Sequence, residues 1–296
     1  MMNGTARPVP AAVAGELPRR RMAKLIATAS IEISPKDEWA GLRLRDLFAP
    51  STTVFVNNPA SVTYHDIVAA CARLRLAGFE PVPHVAARRF LSFAQASEFL
   101  RRAASEAEVR SILLIGGDPE SPIGPFGDSL ALLASGIVER HGIRRIAFAG
   151  YPEGHPQIPA AALDAALRAK IALAQRLGLE ASVVTQFGFE AAPIRRWIGD
   201  LRSQGIACPV QVGVAGPASV ATLAKFAVRC GIGASLQALA RGHTAFARIL
   251  TETGPDGLIE ALVAGEDAGA LIDGFHVFTF GGVRRVADWI RRSKNR

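Results

Sequence analysis

Eight short apolar runs, each followed by a stretch with helical spacing, constrain this chain more than any other feature. The runs are Lys24–Ile33, Thr53–Val56, Glu80–Val85, Ile112–Ile115, Arg145–Gly150, Ala181–Thr185, Pro209–Val214 and Gly274–Phe280. Short runs that are apolar throughout fit strands buried on both faces, and strands separated by helices imply a parallel sheet. Eight such units in about 270 residues fit a closed α/β (β/α)8 TIM barrel better than an open doubly wound sheet.

The helices are expected at Trp39–Phe48, Tyr64–Ala77, Phe93–Ala104, Ser129–His141, Ala160–Leu177, Ile194–Gln204, Ser219–Cys230 and Val283–Arg292. Leu236–Ile249 and Leu258–Val263 read as extra helices before the last strand. Residues 1–22 read as a flexible N-terminal arm and residues 23–296 as a single catalytic barrel. Pro8, Pro10, Glu16 and Pro18 interrupt any signal-peptide core.

A hydrophobic content of 49% supports a sizeable core. No apolar run approaches the roughly 18 residues of a membrane span, so a cytoplasmic protein is expected. Cys71, Cys208 and Cys230 show no C-x-x-C pairing and are expected to be reduced and buried. Much of the net charge of +8 comes from Arg19-Arg20-Arg21 with Lys24, and from the tail Arg291, Arg292, Lys294 and Arg296. Neither cluster is interleaved with aromatics, which argues against a nucleic-acid platform. Solvated chain ends and weak steering of an anionic ligand both remain open.

Barrels carry their active sites at the C-terminal strand ends. Reading those ends gives Glu32, Asn57, His84, Asp118, Tyr151 with Glu153 and His155, Gln186, and the Gly213–Pro217 turn. No H-x-H, H-E-x-x-H, G-x-S-x-G or G-x-G-x-x-G is present, which argues against a metal site, a serine nucleophile and a Rossmann fingerprint. Gly116-Gly117 and Gly213…Gly216 permit close backbone approach to a phosphate or a flat ring, and tight barrel turns need Gly in any case. Glu32 suits general acid work: a dry pocket would raise its pKa and let it deliver a proton near neutral pH.

The order and spacing of Pro83-His84, Gly117-Asp118-Pro119, Ala149-Gly-Tyr-Pro-Glu-Gly-His-Pro156, Thr185-Gln-Phe-Gly-Phe189 and Phe275-His-Val-Phe-Thr-Phe280 resemble bacterial methylenetetrahydrofolate reductase. The resemblance spans Ile26 to about Arg292. It implies an FAD-containing barrel that reduces 5,10-methylenetetrahydrofolate with NADH or NADPH in a ping-pong cycle. It makes Glu32 the acid that protonates N10 and Asp118 the group that favours the resulting cation. Gln186 and Phe226 would bind the folate. Asn57, His84, Gly117, Asp118, Tyr151, His155, Asp164 and Lys170 would hold the FAD. The chain departs from the family at Gly116, where Arg is frequent, at Asn57, where Thr is expected, at Ile33-Ser34-Pro35 and at Gly281-Gly282. These departures keep two further readings open: a flavin-independent folate oxidoreductase, and a non-catalytic folate- or flavin-binding barrel. A homo-oligomer is left open as well.

Overall fold

A computed structural model describes residues 11–36, 39, 42–229, 254–264 and 272–293. Eight parallel strands close on themselves in sequence order: β1 (Ser30–Ile33), β2 (Thr53–Val56), β3 (Glu80–Ala86), β4 (Ser111–Ile115), β5 (Arg145–Gly150), β6 (Glu180–Gly188), β7 (Val210–Ala215) and β8 (Gly274–Phe278). The circle closes where Ser30, Ile31 and Glu32 pair with His276, Val277 and Phe278. The molecule is therefore a (β/α)8 barrel.

Strand alternation decides which side chains reach the lumen. On β1, Ile31 and Ile33 turn outward into the shell beneath the helices, so Ser30 and Glu32 face inward. Phe55, Val82, Leu113, Ala147 and Val184 form a separate apolar cluster inside the barrel. That plug makes the interior a filled core and leaves space only above it. β6 carries one extra residue, since Val184 pairs with Gln211 but Phe187 pairs with Gly213. Such a bulge bends the strand and re-aims its side chains. The Thr185 hydroxyl fixes it by accepting from the Gly213 N–H at 2.9 Å.

The surrounding helices are α1 (Ala11–Ala27), α2 (Leu44–Leu47), α3 (Tyr64–Leu76), α4 (Phe93–Glu106), α5 (Ser129–Ala134), α6 (Ile137–Arg140), α7 (Ala160–Arg176), α8 (Ala191–Ser203), α9 (Val220–Arg229), α10 (Asp256–Val263) and α11 (Val283–Ser293). Their starts follow local chemistry: Thr63 and Asp66 form a reciprocal capping box on α3, and the Ser92 hydroxyl caps α4.

Several expectations are corrected. Residues 1–10 of the expected N-terminal arm lie outside the described residues, and residues 11–22 are helical. They begin α1, whose later residues Met22, Leu25 and Ile26 pack against the core. The run from Lys24 is likewise helical up to Ala27, and β1 starts only at Ser30. The long helix expected over Ser129–His141 is broken, because Gly136 adopts φ +73° between α5 and α6. In place of a helix over Trp39–Phe48, the described residues hold only the single turn α2. The extra helix expected at Leu236–Ile249, and Cys230, lie outside the described residues, whereas α10 covers the other expected extra helix. Cys71 is buried and Cys208 half-buried, and both thiols are free. Among the described residues no helix is long and apolar enough to cross a membrane.

Candidate active site

Above the apolar plug, at the C-terminal ends of the strands, lies a cavity of about 380 Å³. Glu32 from β1, Asp118 from the loop after β4 and Gln186 from the β6 bulge all line it. Glu32 is approached by side chains from β3, β8 and the exit of β2. Its Oε1 accepts from Asn57 Nδ2 at 3.3 Å, and its Oε2 lies 3.4 Å from His276 Nε2. His84 Nε2 stands 3.3 Å from the same Oε2 but out of hydrogen-bond alignment. The Thr279 hydroxyl donates to the Glu32 carbonyl at 2.5 Å and pins the strand end beneath the carboxylate.

These neighbours reverse the expected behaviour of Glu32. Burial pushes its carboxyl up, but the electrostatic pull of nearby His84 and the hydrogen bond from His276 together outweigh burial and hold it well below the usual carboxylate range. Glu32 is therefore ionised in the ligand-free chain, and a dry pocket alone does not make it an acid. His276, with no exposed surface, has its pKa lowered by burial, with Glu32 pulling the other way.

The wall on the β6–β8 side is aromatic. Phe226 on α9 stacks on Phe280 with ring centroids 4.0 Å apart, and Phe280 stacks on Phe278 at 5.3 Å. Phe187 meets Phe280 edge-on at 4.9 Å. Gln186 is held between the two walls by donating from Nε2 to the Gly154 carbonyl at 3.2 Å. Two buried polar atoms on the cavity side lack a hydrogen-bond partner, Asn57 Oδ1 and His84 Nε2. Buried polar atoms are rarely left unpaired, because each costs about 1–3 kcal/mol. Their presence between a carboxylate and an aromatic wall suits a flat ligand with a polar edge.

Asp118, Tyr151 and His155 form part of a shared wall between this cavity and a longer cleft of about 780 Å³. The Tyr151 and His155 rings meet edge-on at 5.4 Å, and burial lowers the His155 pKa. Gly117, Asp164 and Lys170 line the cleft but not the cavity, whereas Asn57, His84 and Phe226 line the cavity but not the cleft. Lys170 has its pKa lowered by burial, with Asp128 opposing, and its ammonium lies 5.4 Å from the Phe148 ring centroid. Among the described residues no carboxylate comes within ion-pair distance of it.

The glycines separate into two kinds. A Cβ on Gly213 would lie 2.3 Å from the Thr185 carbonyl oxygen, and one on Gly216 would lie 2.5 Å from Val286. Those two are needed by the fold and leave no room for a ligand to approach. Gly116, in contrast, has nothing within 4 Å of its Cβ position, so its face is open to the cleft. Glu153 points elsewhere: its Oε1 is 2.8 Å from the Cβ position of Gly188. Arg21 donates to the Ile272 carbonyl ahead of β8, at the far rim from the cavity, so that basic residue does not steer ligands into the mouth.

The cavity and cleft could together hold a flat ring joined to an extended tail. The ring would enter the cavity past Tyr151 and His155, and the tail would follow the cleft. Lys170 offers an unpaired cation for a phosphate, and Asp164 an acceptor for sugar hydroxyls. Arg88 is already committed, donating to the Gly127 carbonyl at 2.7 Å and the Pro119 carbonyl at 3.3 Å.

Sequence reasoning assigned no role to His276, Ser30, Phe278 or Phe280. The signal for His276 was a lone polar residue inside an apolar strand, whose inward direction only the β1–β8 register reveals. The fold and site together define a (β/α)8 barrel with a carboxylate–imidazole cluster at its C-terminal mouth. No protein-family model matches the chain.

Proposed function

We propose that this chain reduces 5,10-methylenetetrahydrofolate to 5-methyltetrahydrofolate with NADH or NADPH, using FAD held across the cavity and cleft. The observation that carries the reading is the joint placement of Glu32, Asp118 and Gln186 around one cavity that faces an aromatic wall. It is supported by the sequence resemblance and by the adjoining cleft, long enough for the rest of a dinucleotide.

The chain's own residues have defined tasks. Phe226 and its stacked neighbours offer a face for a planar ring. Gln186, braced by Gly154, presents its amide oxygen to a ring N–H. Asp118 at the mouth favours positive charge developing as the five-membered ring opens. Glu32 is ionised while the cavity is open to water. A ligand that covers the cavity removes that water, and desolvation is already the largest influence on this carboxyl. Its proton affinity then climbs, and Glu32 can take up a proton and pass it to N10. When bound, the flavin supplies the hydride chemistry that no side chain here can provide.

The test is an absorbance spectrum of protein loaded with FAD, followed by anaerobic addition of NADH. Bleaching of the flavin band supports the reading. Failure to bind flavin while still producing 5-methyltetrahydrofolate would point to the flavin-independent enzyme, a reading favoured by the commitment of Arg88 to backbone carbonyls.

A further inference from the structure

Beneath the cavity, a column of buried polar groups runs from the barrel's lower layer up to Glu32. The Gln211 amide on β7 lies 3.2 Å from the Ser30 hydroxyl on β1. Ser30 Oγ lies 2.9 Å from His276 Nδ1 on β8, and His276 Nε2 reaches Glu32 Oε2 at 3.4 Å. Ser30 is 2% exposed and His276 0%, so neither can meet substrate. Phe55 and Phe278 clamp the imidazole edge-on, with ring centroids at 4.6 and 4.8 Å. The ring therefore has no freedom to turn away from Glu32.

We propose that His276 is a positioning residue: locked by Ser30 and Gln211, it presents an Nε2–H to Glu32 and sets how readily that carboxyl takes up a proton. A carboxylate can only accept, so the nitrogen facing it carries the hydrogen. A neutral ring is favoured where no water reaches it, which leaves Nδ1 to accept from the Ser30 hydroxyl. Ser30 has a single hydroxyl hydrogen, so this bond requires the Gln211 amide to turn its nitrogen toward Ser30 Oγ, in place of the Oε1 that lies 3.2 Å away. The groups facing Glu32 from its neighbours are Asn57 at the exit of β2, His84 from β3 and His276 from β8, with only uncharged Ser30 and Gln211 below. His84 differs in kind: its Nε2 is out of hydrogen-bond alignment with the carboxylate.

This inference deepens the reductase reading by naming what governs its proton donor, and it rests on that reading only for its kinetic consequence. The first test needs no cofactor. Glu side-chain carboxyls are labelled with 13C in the flavin-free protein, Glu32 is assigned by its loss in Glu32→Gln, and the resonance is followed through acid titration. In His276→Gln the midpoint should rise, with the acid constant changing by about tenfold for one lost charge-assisted hydrogen bond. Ser30→Ala touches Glu32 only through His276 and should shift it in the same direction by a smaller factor. It also serves if His276→Gln does not fold. In 15N-histidine spectra the His276 ring should be a neutral Nε2–H tautomer, and Ser30→Ala should release that preference. A Glu32 midpoint unmoved by Ser30→Ala, or an Nδ1–H tautomer, would overturn the proposal even if folate reduction is demonstrated. In loaded enzyme, the pH profile of flavin reoxidation by methylenetetrahydrofolate should shift with the same variants, while reduction by NADH keeps its profile.

Discussion

The two sides of the barrel mouth are built on opposite principles. On the β8–β1–β2–β3 side, Glu32, His84, His276 and Asn57 are drawn together and mostly buried, each tied by at least one short contact. On the β4–β5 side, the cleft is wide, Gly116 faces open space and Lys170 has no ion-pair partner among the described residues. The first side is organised before any ligand arrives. The second is incomplete and waits for charge and surface from elsewhere. Under the proposed reading the contrast separates chemistry from binding: preorganised electrostatics would serve the proton transfer, and unfilled room would serve the docking of a large group.

The sharpest way to break this division is Glu32→Gln. It should lower flavin reoxidation by methylenetetrahydrofolate by about 10²–10⁴-fold, the usual weight of a general acid. Reduction by NADH should change little. Equal loss of both half-reactions in stopped-flow traces would make Glu32 structural.

Glycines offer the next contrast. Gly213→Ala forces a Cβ against the Thr185 carbonyl and should destabilise the fold by about 1–3 kcal/mol, the range for overfilled sites. Gly116→Ala should stay within about 0.5 kcal/mol in urea denaturation, as expected for an open position, and should weaken flavin binding instead. Similar melting losses for the two would erase the distinction between fold glycines and cleft glycines.

Lys170→Met removes a desolvated cation. It should weaken FAD about tenfold by fluorescence titration, on the scale of a charge-assisted hydrogen bond, yet leave the melting temperature equal or higher. A fall in both would mean that Lys170 supports the fold.

Acid pH sharpens the same comparison. The carboxyl of Glu32 is depressed in the folded chain, so its contribution is present above the unfolded value of about 4.3 and is lost as pH falls below it. Glu32→Gln should flatten that acid limb in melting curves, whereas Lys170→Met should not. The smallest effect is expected from Gln186→Ala, which should weaken folate by about 0.5–1.5 kcal/mol, one neutral hydrogen bond, with flavin affinity unchanged.

Much of this architecture was legible in the sequence because burial on both faces leaves a plain mark: Ile112–Ile115 is apolar without interruption, and punctuation by Gly78 and Gly178 ends the helices before β3 and β6. Strand ends were equally visible, since a polar residue closing an apolar run stands out. What stayed hidden depends on contacts between distant strands. Glu32 looked like an acid because it closes the first strand at the mouth, where a dry pocket would raise its pKa, while His84 and His276, 52 and 244 positions away, reach it only through register. The bulge that aims Gln186 comes from a single extra residue in β6, which no periodicity exposes. Pro8, Pro10, Glu16 and Pro18 suggested an arm over residues 1–22, yet α1 spans Ala11–Ala27 and its Ile26 joins the core.

The central claim is that one carboxylate, one aspartate and one amide act on a single ring above the barrel. Anaerobic mixing of NADH-bleached, FAD-loaded protein with methylenetetrahydrofolate tests it most directly. The flavin band should return with one 5-methyltetrahydrofolate formed per flavin. A band that stays bleached in the presence of that folate, while molecular oxygen restores it, would contradict the account.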